Sequence, residues 1–218
     1  MVMVTNFRVF GYSLVGAALL EAASWFGWQY PVLGSVFTIA MVCGWLWVAT
    51  RNEGVAVLLL VVELCLGSQG YLLSFKFGTT ILSLRMVLFV CAVGYILWKI
   101  ISKRDFELWR SEWKLWYGAV LLALTWGLAV ALGRGNSFET LFLDVNGFFY
   151  LALFPLFVSS AAREGIAKYG VSILTGALLW LSLKTLLVLY AFSHISPEAL
   201  TNLYHWWRQT GFGEITYV

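Results

Sequence analysis

Charged side chains interrupt several long apolar stretches of this chain, and these side chains are the ones most able to do chemistry. Glu21, Glu63, Arg85 and Lys184 each lie inside such a stretch. A charge at the centre of a bilayer costs roughly 2.5–3.5 kcal/mol on insertion scales, so each needs a partner, a route to the surface or a function. Lys184 lies too deep to reach the surface easily, so it needs a partner such as Glu63 or Glu21, or a proton-free state.

Arg85 is the most informative of these charges for binding. A guanidinium stays charged at any relevant pH and binds phosphate through two parallel hydrogen bonds. Lys76 and Arg134 are further cations, in connections expected on the same side of the membrane, and Asp144 lies near Arg134 in sequence. These four residues predict an outward-facing pocket at head-group depth for a substrate that carries phosphate or pyrophosphate. The alternatives are ion pairing for Arg85 and capping of a helix N-terminus for Asp144.

Metal and nucleotide chemistry lack their usual sequence patterns. No Gly-rich phosphate loop, HExxH, GxSxG or calcium-loop pattern occurs. His194 and His205 are the two histidines, and the three cysteines (Cys43, Cys65 and Cys91) lie within apolar runs as small hydrophobic residues do. The sequence therefore predicts no metal and no cofactor, and it leaves the catalytic residues unidentified.

Composition determines the elements that must position these residues. Apolar residue types make up 61% of the 218 residues and charged types 11%, against roughly 25% charged in a soluble domain. The apolar runs are continuous rather than alternating, which favours helices over a membrane barrel. We therefore expect an all-α, polytopic transmembrane bundle over residues 1–218 as a single domain. The net charge of +3 is too small to indicate a nucleic-acid partner.

Seven stretches are candidates for membrane spans of about 20 residues. They cover residues 9–28, 32–50, 54–66, 81–101, 115–132, 147–159 and 171–193. The third and sixth are short, so their spanning is the weakest part of the count.

The basic residues orient these spans. With seven spans, nine basic residues fall on one side and three on the other; the nine are Arg8, Arg51, Lys99, Lys103, Arg104, Arg110, Lys114, Arg163 and Lys168. Cytoplasmic loops carry the excess of Lys and Arg. The N-terminus is therefore predicted in the cytoplasm and the C-terminus outside. Trp109, Trp113 and Trp116 share one helix face, and Trp206 and Trp207 stand beside Arg208, so both segments are expected to lie at the membrane surface.

Several motifs resemble one family of membrane proteins. The stretch 63–71, followed by Leu82-Ser83-Leu84-Arg85, resembles the early spans of O-antigen ligase and polymerase-like proteins. So does Arg134-Gly135-Asn136 with the later Asp144-Val145-Asn146-Gly147. The segment 208–216 is similar to the approach to the large outer loop of that family.

The resemblance implies a function and a location. Such proteins transfer a glycan from undecaprenyl pyrophosphate to an acceptor on the outer face of the inner membrane, without a metal. Their outward-facing arginines engage the pyrophosphate, and Arg85 and Arg134 match that role. The chain ends where the outer loop with the family's histidine would begin, so we expect the N-terminal part of a longer protein, inactive alone.

Two other classes of function stay open. Glu21, Glu63 and Lys184 within spans, together with two interrupted helices, are typical of a small transporter or permease, in which Lys184→Met would abolish coupled uptake. A membrane scaffold without ligand is the third reading, in which substitutions affect stability alone. The sequence indicates neither the sugar and acceptor nor the oligomeric state.

Overall fold

The protein is almost entirely helical in the part of the chain that the computed structural model describes, which is residues 6–67, 72–77, 80–103, 111–137, 141, 146–161 and 164–210. In chain order the elements are α1 (Phe7–Gln29), α2 (Pro31–Arg51), α3 (Glu53–Leu66), β1 (Ser74–Phe77), β2 (Thr80–Ser83), α4 (Leu84–Lys103), α5 (Trp113–Gly133), a 3-10 helix (Asn146–Leu153), α6 (Phe154–Ala161), α7 (Glu164–His194) and α8 (Pro197–Gln209). The predicted all-α class is confirmed, with one small hairpin added.

Single residues separate the first three helices. The Asn6 side chain accepts a hydrogen bond from the backbone N–H of Val9, and the Asn52 side chain accepts one from Val55 at 3.1 Å. Both contacts satisfy N–H groups that have no partner within the helix. Pro31 starts α2, where its missing N–H costs nothing. These local signals explain why the first three helices follow one another with such short turns.

Within the described ranges, five helices are long and apolar enough to cross a membrane: α1, α2, most of α4, α5, and α7 from Tyr169 onward. The apolar helix α3 has 14 residues, a rise of about 21 Å, against a hydrocarbon core of about 30 Å. The 3-10 helix and α6 together are also shorter than a full span. Helices able to cross a membrane are therefore present, while the count of seven and the orientation of the termini remain predictions.

The chain divides into two compact units, Met1–Cys91 with Arg163–Val218, and Ala92–Ala162. We call the first unit the bundle. In it α7 packs against α1 and α3, α2 packs against the same two helices, the hairpin contacts α2, and α8 contacts α7. The centre of the bundle is a cluster of Ala17, Leu66 and Ala177 with partly buried apolar neighbours from α1, α3 and α7.

Small residues let α1 and α7 approach closely. A methyl group added at Gly176 would lie 2.7 Å from the Phe10 carbonyl oxygen and 2.9 Å from Ser13 Cβ. The Ser13 hydroxyl donates a hydrogen bond to the Ile173 carbonyl at 2.6 Å. Close packing of small residues with a side-chain hydrogen bond across the contact is a usual way to join helices in membranes.

Contacts define two ends of the bundle. At one end, Gly27 faces Gly34 across the α1–α2 turn, and Leu73 of the hairpin segment lies against them. We call this the hairpin end. At the opposite end, the backbone N–H of Asn6 donates a hydrogen bond to the Ser172 hydroxyl at 2.8 Å, and Gly54 lies against Ile166. The α1–α2 turn and the hairpin thus share one end, as alternating spans require.

In the second unit, aromatic side chains join α5 to α6. No residue of α5 is buried within the described structure. Tyr117 stacks on Phe154 with ring centroids 5.2 Å apart, and Trp113 meets the same ring edge-on at 6.3 Å. Pro155 stands at the second position of α6, where a missing N–H is tolerated.

The start of α4 differs from the sequence prediction. The fourth apolar stretch was expected to be helical from residue 81, but α4 begins at Leu84 because residues 80–83 pair antiparallel with β1. In α8, Trp206 and Trp207 are buried, while the location of this segment at the membrane surface remains a prediction. Trp109 lies outside the described residues, and α5 begins at Trp113.

Candidate functional site

Arg85 is placed by the hairpin. The Leu84 N–H donates to the Leu73 carbonyl at 2.8 Å, and the Met86 N–H donates to the Ser83 hydroxyl at 3.3 Å. Leu73 is buried, so this junction is anchored in the bundle. An isolated two-stranded hairpin is marginally stable in water, and here burial of its preceding segment supports it. Arg85 follows directly as the second residue of α4.

Glu63 is the partner of Arg85. The Arg85 Nε lies 3.2 Å from one carboxylate oxygen of Glu63 and 3.3 Å from the other. The side chains are 16% and 7% exposed, respectively. A buried ion pair of this kind is costly to form and strongly destabilising to break on one side. The pair therefore fixes the guanidinium next to the C-terminus of α3.

Gly67 makes room for this ion pair. A methyl group at this position would lie 2.8 Å from the Glu63 carbonyl oxygen and 3.0 Å from Arg85 Nη2, and closer still to the Glu63 carboxylate. Real Cβ atoms do not approach other atoms so closely, so an alanine would force the carboxylate or the guanidinium to move. The glycine expected in a connecting loop thus has a specific packing role.

The helix terminus adds to the positive potential at Arg85. The N-terminus of an α-helix carries a partial positive charge, which favours anions and opposes cations. Arg85 in the first turn of α4 therefore concentrates positive charge at one point. Glu63 offsets that charge in the structure as it stands.

A large apolar cavity opens beside the pair. Its volume is about 780 Å³, and its walls come from α1, α2, α3, the start of α4 and α7, all within the bundle. Its lining is almost wholly apolar; Leu84 and Leu88 of α4 line it, and Glu63 is its charged lining residue. An apolar volume ending at a charged pair is the shape expected for an amphipathic ligand.

Lys184 is paired at the same end of the bundle. Its Nζ donates a hydrogen bond to Glu21 Oε1, and Trp180 Nε1 donates to Glu21 Oε2 at 2.6 Å. The Lys184 ammonium also lies 5.4 Å from the centre of the Trp207 ring. The prediction that Glu21 or Glu63 would pair with Lys184 is confirmed, with Glu21 as the partner.

Helix α8 covers this second pair. Trp206 Nε1 donates to the Ser24 hydroxyl at 3.2 Å, and Trp28 Nε1 donates to the Gln209 side chain at 2.5 Å. Trp25 meets the Trp206 ring edge-on at 5.4 Å. These indole contacts fasten α8 to α1. The apolar spacing of Leu200, Trp206 and Trp207 in an otherwise polar helix was the available signal.

The other sequence-predicted residues remain predictions for this site. Arg134 is exposed after α5 in the second unit, and Gly135 beside it has φ of 79°, a left-handed conformation that favours glycine. Lys76 lies in β1, and its side chain is outside the described part of the structure. Asp144 lies outside the described residues.

Metal and thiol chemistry find no cluster in the described ranges. Among those residues, no group of three or more His, Cys, Asp or Glu side chains could hold a metal ion. The three cysteines are free thiols.

Comparison with known proteins adds no relative. No protein-family model, no curated protein and no solved structure matches the chain. The function must therefore be argued from the site.

Proposed function

We propose that the hairpin end of the bundle binds the phosphate head of a long-chain membrane lipid through Arg85. We further propose that the chain is part of a glycan-transferring membrane enzyme of the O-antigen ligase type. Its donor is a polyprenyl-pyrophosphate-linked glycan on the outer face of the inner membrane. The observation that carries the proposal is the ion pair of Arg85 with Glu63, a residue that lines a 780 Å³ apolar cavity.

The cavity suits the lipid part of such a donor. A hydrocarbon chain gains roughly 25 cal/mol per Å² of apolar surface removed from water, and in a membrane it gains from close packing with the cavity wall. The walls from five helices offer such packing along the bundle axis. Because Glu63 lines the cavity and contacts Arg85, a chain lying in the cavity would present its head group near the guanidinium.

Arg85 has the chemistry that the head group requires. In glycan transfer, an acceptor hydroxyl attacks the anomeric carbon, the bond from that carbon to the donor phosphate breaks, and the polyprenyl pyrophosphate leaves with the bonding electrons. A guanidinium aimed at the departing oxygens stabilises the charge that develops on them. Arg134 is the second guanidinium that the sequence offers for this role.

Binding of undecaprenyl pyrophosphate to the purified chain in detergent micelles tests the proposal. Arg85→Ala and Arg134→Ala are each expected to weaken binding about 10- to 100-fold, since a hydrogen bond to a charged group contributes roughly 1.5–3 kcal/mol. Arg85→Lys should also weaken binding while preserving the charge opposite Glu63, because lysine lacks the guanidinium's planar fork.

The matched control is Arg51→Ala. Arg51 is an exposed arginine that ends α2 at the opposite end of the bundle, so its removal should leave the affinity unchanged. Unaltered affinity in both Arg85→Ala and Arg134→Ala would remove the proposal.

A further inference from the structure

Glu63 stands where a ligand would have to meet Arg85. Glu63 lines the apolar cavity, and both of its carboxylate oxygens lie within hydrogen-bond distance of Arg85 Nε. Any head group that reaches the guanidinium from the cavity therefore comes into the field of a negative charge already in place. Two like charges that are brought so close inside a protein repel each other far more strongly than they do in water.

The carboxylate is also tethered. Glu63 belongs to the last turn of α3, and Gly67 leaves the space in which its carboxylate meets the guanidinium. A group held next to its partner by the fold acts at a high effective concentration. A free anion with the same single charge has no electrostatic advantage over it. An anion with two or more charges does.

Membranes contain both kinds of lipid anion. The phosphodiester of an ordinary anionic phospholipid carries one negative charge, whereas a lipid pyrophosphate carries more. An exposed arginine at head-group depth would attract the abundant phospholipid first. The proposed substrate needs a site that resists this competition.

We infer that Glu63 determines the specificity of the site: it occupies Arg85 against singly charged phospholipid head groups and yields to a pyrophosphate. The inference rests on the proposed function. It assigns Glu63 a positioning and selecting role through Arg85.

The test compares two probes, farnesyl pyrophosphate and phosphatidylglycerol, competing for the full chain in neutral detergent micelles. The wild-type protein is expected to prefer the pyrophosphate. In Glu63→Gln the side chain keeps its size and an acceptor oxygen but loses its charge, so the affinity for phosphatidylglycerol should rise about tenfold and the preference should shrink. Glu63→Asp keeps the charge and should keep the preference.

Two comparisons separate the possible failures. If Arg85→Ala binds farnesyl pyrophosphate as well as the wild type does, the proposed binding of the head group through Arg85 is itself wrong. If Arg85→Ala loses that binding but Glu63→Gln keeps the wild-type preference, the role of Glu63 is wrong and the proposed function stands.

Glu21 provides the control, and the wild-type protein provides a test that needs no variant. Glu21→Gln removes the other buried carboxylate at the same end of the bundle and should leave the preference unchanged. Should Glu63→Gln fail to fold, the wild-type protein still decides, because equal competition by phosphatidylglycerol and farnesyl pyrophosphate at Arg85 would overturn the inference.

Discussion

Two buried ion pairs lie at the hairpin end of the bundle, and they differ in what surrounds them. The Glu21–Lys184 pair is enclosed: Trp180 donates to the carboxylate, and the Trp207 ring lies over the ammonium. The Glu63–Arg85 pair borders a cavity of about 780 Å³. The charged groups of the first pair are therefore surrounded by protein partners, while the second pair lies beside a volume that a ligand could fill.

The contrast teaches how to read a charge within an apolar helix. Such a charge suggests a functional site by default, yet burial against a partner and an aromatic ring is sufficient reason for Lys184. The enclosure of Lys184 therefore weakens one of the grounds for a coupled permease, namely a lysine within a span. Accessibility from a cavity, rather than charge alone, distinguishes the more promising site.

The largest effect is expected from breaking the enclosed pair on one side. Lys184→Met leaves the buried Glu21 carboxylate without its ammonium, which should lower the free energy of unfolding by about 3–5 kcal/mol. Denaturant titration in detergent micelles measures this loss. Binding of undecaprenyl pyrophosphate by the protein that remains folded should be unchanged.

The matched control removes both charges together. Glu21→Leu with Lys184→Leu leaves no unpaired charge, and such replacements are often neutral or stabilising. The double variant should therefore be more stable than Lys184→Met. A double variant as unstable as the single one would show that these side chains matter for more than their mutual charge.

The sequence predicts the helices of this fold better than its connections. The seven apolar stretches all correspond to helices because a long apolar run permits few other structures in a membrane. The hairpin was not predicted, although Ser74 to Ser83 alternates partly and has Gly78-Thr79 at its centre. Four-residue strands are too short for periodicity to distinguish them from a loop or a helix start.

The sequence limited the candidate ion-pair partners of Lys184 to two carboxylates but did not decide between them. Glu21 and Glu63 were equivalent candidates for Lys184, since pairing depends on how α1, α3 and α7 rotate about their axes. That rotation is set by close contacts such as Gly176 against Phe10, which have no signature in a single sequence. The role of α8 as a cover also depends on contacts more than 150 residues apart, such as Trp206 with Ser24.

An intermediate effect is expected at the open pair from Gly67→Ala. The added methyl group would press on Arg85 Nη2 and the Glu63 carbonyl, and overpacking of this kind costs about 1–3 kcal/mol. Thermal unfolding in micelles would show the loss. Gly11→Ala is the control, because nothing lies within 4 Å of its added methyl group and alanine favours the helix by about 0.5–1 kcal/mol. Equal effects of the two substitutions would contradict the packing role of Gly67.

The smallest effect tests whether the enclosed pair depends on its aromatic cover. Trp207→Phe weakens the attraction between the ring and the Lys184 ammonium, and such an attraction contributes about 2 kcal/mol when the cation is desolvated. Part of the measured loss will be packing, so the same substitution is also made in the Lys184→Met background, where no ammonium remains. The difference between the two losses is the coupling energy, and we expect it to be about 1 kcal/mol.

Trp47→Phe provides the exposed counterpart, since Arg51 lies 5.9 Å from that ring and solvent should reduce the coupling well below that of the buried pair. A coupling no larger at Trp207 than at Trp47 would mean that α8 encloses Lys184 by shape alone, and the electrostatic distinction between the two ion pairs would then rest on the cavity.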